Sequence, residues 1–118
     1  MRFLAVFLLP ILVFAQTINI EITYGSVKEA RTTKTEYKSG ESALAVISRV
    51  ANVKTKKVGQ YLFITSIDGV VSAPQKMGWF YLLDGKNADK TASSHILTNE
   101  KSMRWEYHID NCLSGVGK

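Results

Sequence analysis

Cysteine is nearly missing from this chain. Cys112 is the only one, so no disulfide can form within it. It sits in "DNCLSGVGK", without a neighbouring base or orienting group to activate a thiolate, and is read as incidental. Histidine is almost as scarce, with His95 and His108 alone. His108 shares a strand face with Glu106, but a metal site there needs at least one more ligand, and no spacing supplies it. No nucleophile–base–orienter set, catalytic carboxylate pair or phosphate-cradling glycine loop is present. Enzymatic activity is therefore not expected, and nothing in the chain requires a cofactor. Charge is also modest: the formal net charge is +5, with the basic residues spread along the chain. The one cluster, "KTKK" at Lys54–Lys57, is expected to solvate a turn after a helix and to complement that helix's dipole. Nucleic-acid binding usually requires a larger basic patch.

Long apolar runs are lacking as well. The longest, Phe3–Phe14 in "MRFLAVFLLPILVFAQ", falls short of the roughly 20 residues that cross a bilayer. With Arg2 before it and Val13-Phe14-Ala15 at its end, it has the form of a cleavable signal peptide over residues 1–15. The mature chain is then expected to begin at Gln16, to carry a formal charge of +4 once Arg2 is lost, and to be periplasmic or extracellular. Residues 16–110 suffice for one domain, followed by a tail over 111–118.

Within that domain the hydrophobic period changes along the chain. "TINIEITYGS" alternates, placing Ile18, Ile20, Ile22 and Tyr24 on one face of a strand. Gly25-Ser26 can turn the chain into "KEARTTKTEY", a second and more exposed strand. "SGESALAVISRVAN" switches to helical spacing through Leu44, Ile47, Val50 and Ala51, broadened by Ala43 and Val46. Ser39 or Ser42 can cap this helix of about three turns, Glu41 suits its first turn, and Asn52 can end it in a left-handed conformation. "QYLFITSIDG" predicts a central strand closed by an Asp68-Gly69 turn. "MRWEYHI" alternates again, with Met103, Trp105, Tyr107 and Ile109 inward and Arg104, Glu106 and His108 outward. One helix among five strands predicts a two-layer α+β domain in which the helix packs on one face of a mixed sheet.

"MGWFYLLDGKNADK" raises the functional question. A strand here sends Trp79 and Tyr81 to one side and Phe80 to the other, before Asp84-Gly85 turns the chain. Either both faces are buried, or one is a ledge for a guest. Since one helix shelters one face, part of this aromatic set is expected to be available, with the loop from Val70 to Gly78 as a candidate lid. Trp105 and Tyr107 are expected in the core.

Four segments, "ESALAVISRVANV", "FITSIDGV", "GWFYLLDGKNADKTASSHIL" and "MRWEYHI", together resemble the transcobalamin-like C-terminal domain family. That family includes the β-domain of the cobalamin carriers transcobalamin and intrinsic factor, and exported bacterial relatives. The similarity runs from about Thr17 to Ile109, and its most specific piece is Gly78 to Leu83 with the Asp84-Gly85 turn. It implies a β-grasp-like fold. In the carriers a corrinoid lies between this domain and a helical barrel, with the matching strand facing the ligand. Carried over, this implies Gly78, Trp79, Phe80, Tyr81 and Leu82 as ligand-binding residues, with the Val70–Gly78 loop beside them.

The expected function is an exported, non-enzymatic binding module for a small ligand, with cobalamin or another corrinoid as the candidate. A partner, such as another envelope protein, would supply the second surface. The alternative is a cell-envelope module that docks another protein through the same aromatic strand. A concave pocket beside Trp79 favours the first reading and a flat patch the second.

Overall fold

A computed structural model describes residues 15–73 and 76–109. The expected signal peptide, apart from Ala15, and the tail with Cys112 lie outside the described residues. The elements run β1 (Ala15–Thr23), β2 (Arg31–Lys38), α1 (Ala43–Val50), β3 (Val53–Val58), β4 (Tyr61–Ile67), β5 (Val70–Val71), β6 (Met77–Leu83), β7 (Lys86–Asn87) and β8 (Ser102–Ile109). They form a five-stranded sheet in the order β2-β1-β8-β6-β7 and a three-stranded sheet in the order β3-β4-β5. The domain is α+β, as its alternating periods imply. The larger sheet is mixed, because β1 and β8 run parallel while its other pairs are antiparallel.

β1 follows its sequence pattern closely. Ile18, Ile20 and Ile22 are fully buried and Tyr24 nearly so. Ile20 lies opposite Met103 and Ile22 opposite Trp105 in β8, so these residues share one core, whereas Tyr107 is half-buried against it and Ile109, expected inward, is 62% exposed at the end of the strand. α1 packs Ala43, Val46 and Ile47 into that core. Its start is the expected one: the Ser42 hydroxyl accepts a hydrogen bond from the Ala45 N–H at 3.1 Å.

Other details correct the expectations. α1 has eight residues, closer to two turns than three, and the chain leaves it at Ala51 in an extended conformation. Asn52 provides no left-handed cap; its N–H instead bonds the Asp68 carboxylate at 2.9 Å. Glu41 precedes the cap, accepts from the Lys38 N–H at 2.9 Å and pairs with Arg49. The hydrogen bond from Arg49 holds the Glu41 carboxyl below the usual carboxylate range. Lys54–Lys57 form no turn: they belong to β3, exposed, paired with β4. β4 is central, but to the smaller sheet, which the sequence pattern had not separated.

Both aspartate–glycine pairs turn as expected. Asp68 and Gly69 have φ of 53° and 86°, and Asp84 and Gly85 have 50° and 82°. Two successive positive φ values match the twist of a two-residue hairpin, and glycine adopts them without a Cβ penalty. The aspartates also fasten distant segments. Asp68 accepts from Tyr24, from Arg31 at 2.8 Å and from Asn52. Asp84 accepts from the N–H groups of Lys101 and Ser102 at 2.9 and 3.0 Å. Burial opposes the charge on Asp68, but hydrogen bonds from Tyr24, Asn52 and Arg31 outweigh it and lower its pKa.

Candidate functional site

Eight helical residues extend about 12 Å, whereas five strands at about 4.8 Å spacing span about 19 Å between the edge axes. α1 therefore cannot roof even the face that it covers. Trp79, Tyr81 and Leu83 point to the same side as the buried residues of β8, since Trp79 lies opposite Tyr107, Tyr81 opposite Trp105 and Leu83 opposite Met103. Beyond the reach of α1, this side is walled by β4 and by the segment that leaves the sheet after β7. Between them lies a groove of about 780 Å³. Leu62, Phe63 and Ile64 form one wall, Asn87 to Ala92 the other, and Gly78 to Tyr81 run along the base.

The aromatic side chains here are held rather than loose. Tyr81 stacks on Trp105 with ring centroids 4.5 Å apart, and its hydroxyl donates to the Lys90 carbonyl at 2.7 Å. Burial, with a smaller contribution from Asp89, pushes the Tyr81 phenol up to about 12, so it remains a neutral donor at physiological pH. The Trp79 indole N–H donates to the Val70 carbonyl at 2.9 Å, and the ring lies between Tyr24 and Tyr107. Tyr107 donates to the Val71 carbonyl at 2.7 Å. The start of the expected lid is thus pinned to the site by two aromatic donors and by the β4–β5 ladder. An Ala73–Met77 bridge follows; Pro74 and Gln75 lie outside the described residues.

Of the five residues carried over from the resemblance, Gly78, Trp79, Phe80 and Tyr81 line the groove. Leu82 is not among its lining residues. Phe80 reaches it from the opposite side of the strand, where its ring stacks on His108 at 4.4 Å. This opposite face is charged, carrying Glu21, Arg104 and Glu106, with Arg104 and Glu106 3.0 Å apart. The opening is therefore along the edge of β6 and is not an uncovered sheet face. Tyr81 and Trp105 are buried while Trp79 and Phe80 are half-buried, so the aromatic set is shared between core and groove.

The sequence did not single out Leu62, Phe63 and Ile64 or Asn87–Ala92 as site residues. Nothing local marks them, because their part in the groove comes from the approach of separate sheets. Among the described residues, no group of three or more histidine, cysteine, aspartate or glutamate side chains gathers to hold a metal ion. None of the described helices is long and apolar enough to cross a membrane.

The sequence model of a family described as a domain of unknown function (DUF4430) matches residues 40–109. No curated protein sequence matches the chain. Among solved structures, haptocorrin in complex with Cbi superposes with a TM-score of 0.65 at 18% identity, over 82% of this chain and 26% of the haptocorrin chain. The chain thus spans about a quarter of that protein's length. A protein of Ruminococcus gnavus ATCC 29149 to which metal binding has been ascribed superposes with a TM-score of 0.62 at 11% identity. That match covers 80% of this chain and 98% of the other. At these identities the likeness is one of fold.

Proposed function

The chain belongs to the family described as a domain of unknown function (DUF4430), and we propose that it is a non-enzymatic binding module of the transcobalamin-like C-terminal type. Its ligand is small, with cobalamin or another corrinoid as the leading candidate. The observation that carries this reading is the groove of about 780 Å³ along β6, lined by Trp79 and Tyr81 and walled by Leu62, Phe63 and Ile64. Its volume falls in the range of about 300–1,000 Å³ typical of small-molecule sites. A concave site favours a small ligand over a flat protein contact. The haptocorrin likeness adds support, because that structure is a complex with Cbi and shares this fold.

The groove alone is a weak binder. A flat ligand burying about 200 Å² of apolar protein surface would gain around 5 kcal/mol at about 25 cal/mol per Å². Association costs about 4–15 kcal/mol. High affinity therefore requires a second surface, supplied by a partner such as another envelope protein. Export by a signal peptide over residues 1–15, to the periplasm or cell exterior, belongs to the same reading.

Titrating cyanocobalamin, cobinamide and haem into the purified domain tests it, with tryptophan fluorescence and visible absorbance as readouts. A saturable response to a corrinoid is expected. Silence from all three at high micromolar ligand would shift the reading to docking of another protein through β6.

A further inference from the structure

The smaller sheet turns a largely exposed face outward. Lys54, Lys56 and Val58 alternate along one side of β3, and Phe63 and Tyr61 lie on that side of β4, opposite Lys56 and Val58. A bulge between Lys54 and Thr55 passes over Thr65, so Ser66 and its β5 partner Val71 stay on the same side. The other side, with Val53, Ile64, Ile67 and Val70, is turned to the core.

Val58, Tyr61, Phe63 and Val71 are 51%, 44%, 44% and 61% exposed. They are four of the seven large hydrophobic side chains exposed among the described residues, so apolar surface is gathered on this face rather than scattered. Tyr61 and Phe63 are in tilted contact, with ring centroids 6.4 Å apart. The charge beside them is of one sign: from Val53 to Ile67 the charged side chains are Lys54, Lys56 and Lys57, without an acidic one. Lysines on an edge strand discourage pairing with another chain, which accounts for their place on β3 but not for the apolar row next to them.

The four apolar side chains present roughly 350 Å² in all, taking about 200 Å² for a whole aromatic side chain. A standard protein interface takes about 800 Å² from each partner, and a second copy would set the lysines against themselves. A bilayer with anionic headgroups needs less. Apolar side chains enter the acyl boundary, a tyrosine keeps its hydroxyl at headgroup level, and lysine stems lie along the apolar row while their ammonium groups meet phosphate. We propose that the outward face of β3, β4 and β5 docks the protein on anionic phospholipid surfaces. Val58, Tyr61, Phe63 and Val71 make the apolar contact, and Lys54 and Lys56 the electrostatic one.

Co-sedimentation with vesicles tests this, using the chain from Gln16, free of the apolar leader that would itself bind lipid. Phosphatidylcholine vesicles carrying about one third phosphatidylglycerol should bind it at least about 25-fold more tightly than phosphatidylcholine alone, at about fivefold for each of the two lysines. Binding should weaken as salt rises from about 0.1 M to about 1 M, where the Debye length falls from about 10 Å to about 3 Å. Lys54→Gln combined with Lys56→Gln should remove the preference for phosphatidylglycerol. Tyr61→Ser should weaken binding about tenfold yet leave it salt-dependent. All three residues are exposed and none is among the groove's lining residues, so the urea midpoint and any corrinoid response should be little changed in these variants. Equal binding to both kinds of vesicle, or native affinity in the lysine double variant or in Tyr61→Ser, would overturn the proposal. So would the lack of binding to either vesicle, and a concentration-dependent dimer abolished by Tyr61→Ser would then give the face to a second copy.

Discussion

Replacing Trp79 with alanine separates a ligand wall from a structural prop. The indole donates to the Val70 carbonyl at 2.9 Å and packs against Tyr24 and Tyr107, with ring centroids at 5.9 and 5.1 Å. Truncating a fully buried tryptophan costs about 3–5 kcal/mol. Trp79 is only half-buried, and part of it already faces the groove, so the lost packing is roughly half of that. Loss of the hydrogen bond adds about 1 kcal/mol. The expected total of about 3 kcal/mol lies below the 5–15 kcal/mol typical of whole domains. The variant should therefore remain folded at 25 °C, with a lower urea midpoint followed through the fluorescence of Trp105. Binding of whichever corrinoid the native domain takes should be lost under the same conditions. A variant already unfolded without urea would make the ring structural, and one that binds within twofold of the native domain would refute its place in the site.

Tyr81→Phe removes the hydroxyl that ties β6 to Lys90; a loss of about 1 kcal/mol is expected, with faster amide exchange in residues 87–92. Ser42→Ala should lower stability by about 1 kcal/mol through loss of the α1 cap, measured by urea unfolding. Stability should also depend on pH at both extremes. The pKa of Asp68 and that of Glu41 are depressed by folding, so their contribution is complete above the ordinary carboxylate range and declines as pH falls through their lowered values. Asp68→Asn should flatten that acid limb in a urea series between pH 2 and pH 7, values chosen to bracket the ordinary carboxylate pKa of about 4. The Tyr81 phenol is raised, so its contribution is complete below the unfolded tyrosine pKa of 10.0 and is lost as pH rises through about 12. Its phenolate absorbance should accordingly appear only near the alkaline unfolding transition.

Much of the fold was legible from local pattern. Ile18, Ile20 and Ile22 alternate because one face of β1 is buried, Ser42 precedes a helical run because its hydroxyl satisfies an otherwise open N–H, and the two aspartate–glycine pairs mark hairpins. β3 was not legible. Its run from Lys54 to Val58 is exposed throughout, so it carries no alternation of burial, and pairing with β4 makes it a strand. Asn52 has the chemistry of a left-handed cap but bonds through its N–H to Asp68, sixteen positions away, a contact absent from any local window.

The candidate site divides along the same line. The sequence by itself determined that an aromatic strand would end at a tight turn, and which of its side chains would share a face, because those properties depend on a period of two and on backbone sterics. Only the tertiary structure decided that the opening runs along the edge of β6, with Leu62 to Ile64 and Asn87 to Ala92 as walls. The reason is one of dimension: α1 is too short to roof the sheet, and the smaller sheet and the segment after β7 meet around the remainder. Such enclosure depends on distances between elements far apart in the chain, which no residue pattern carries.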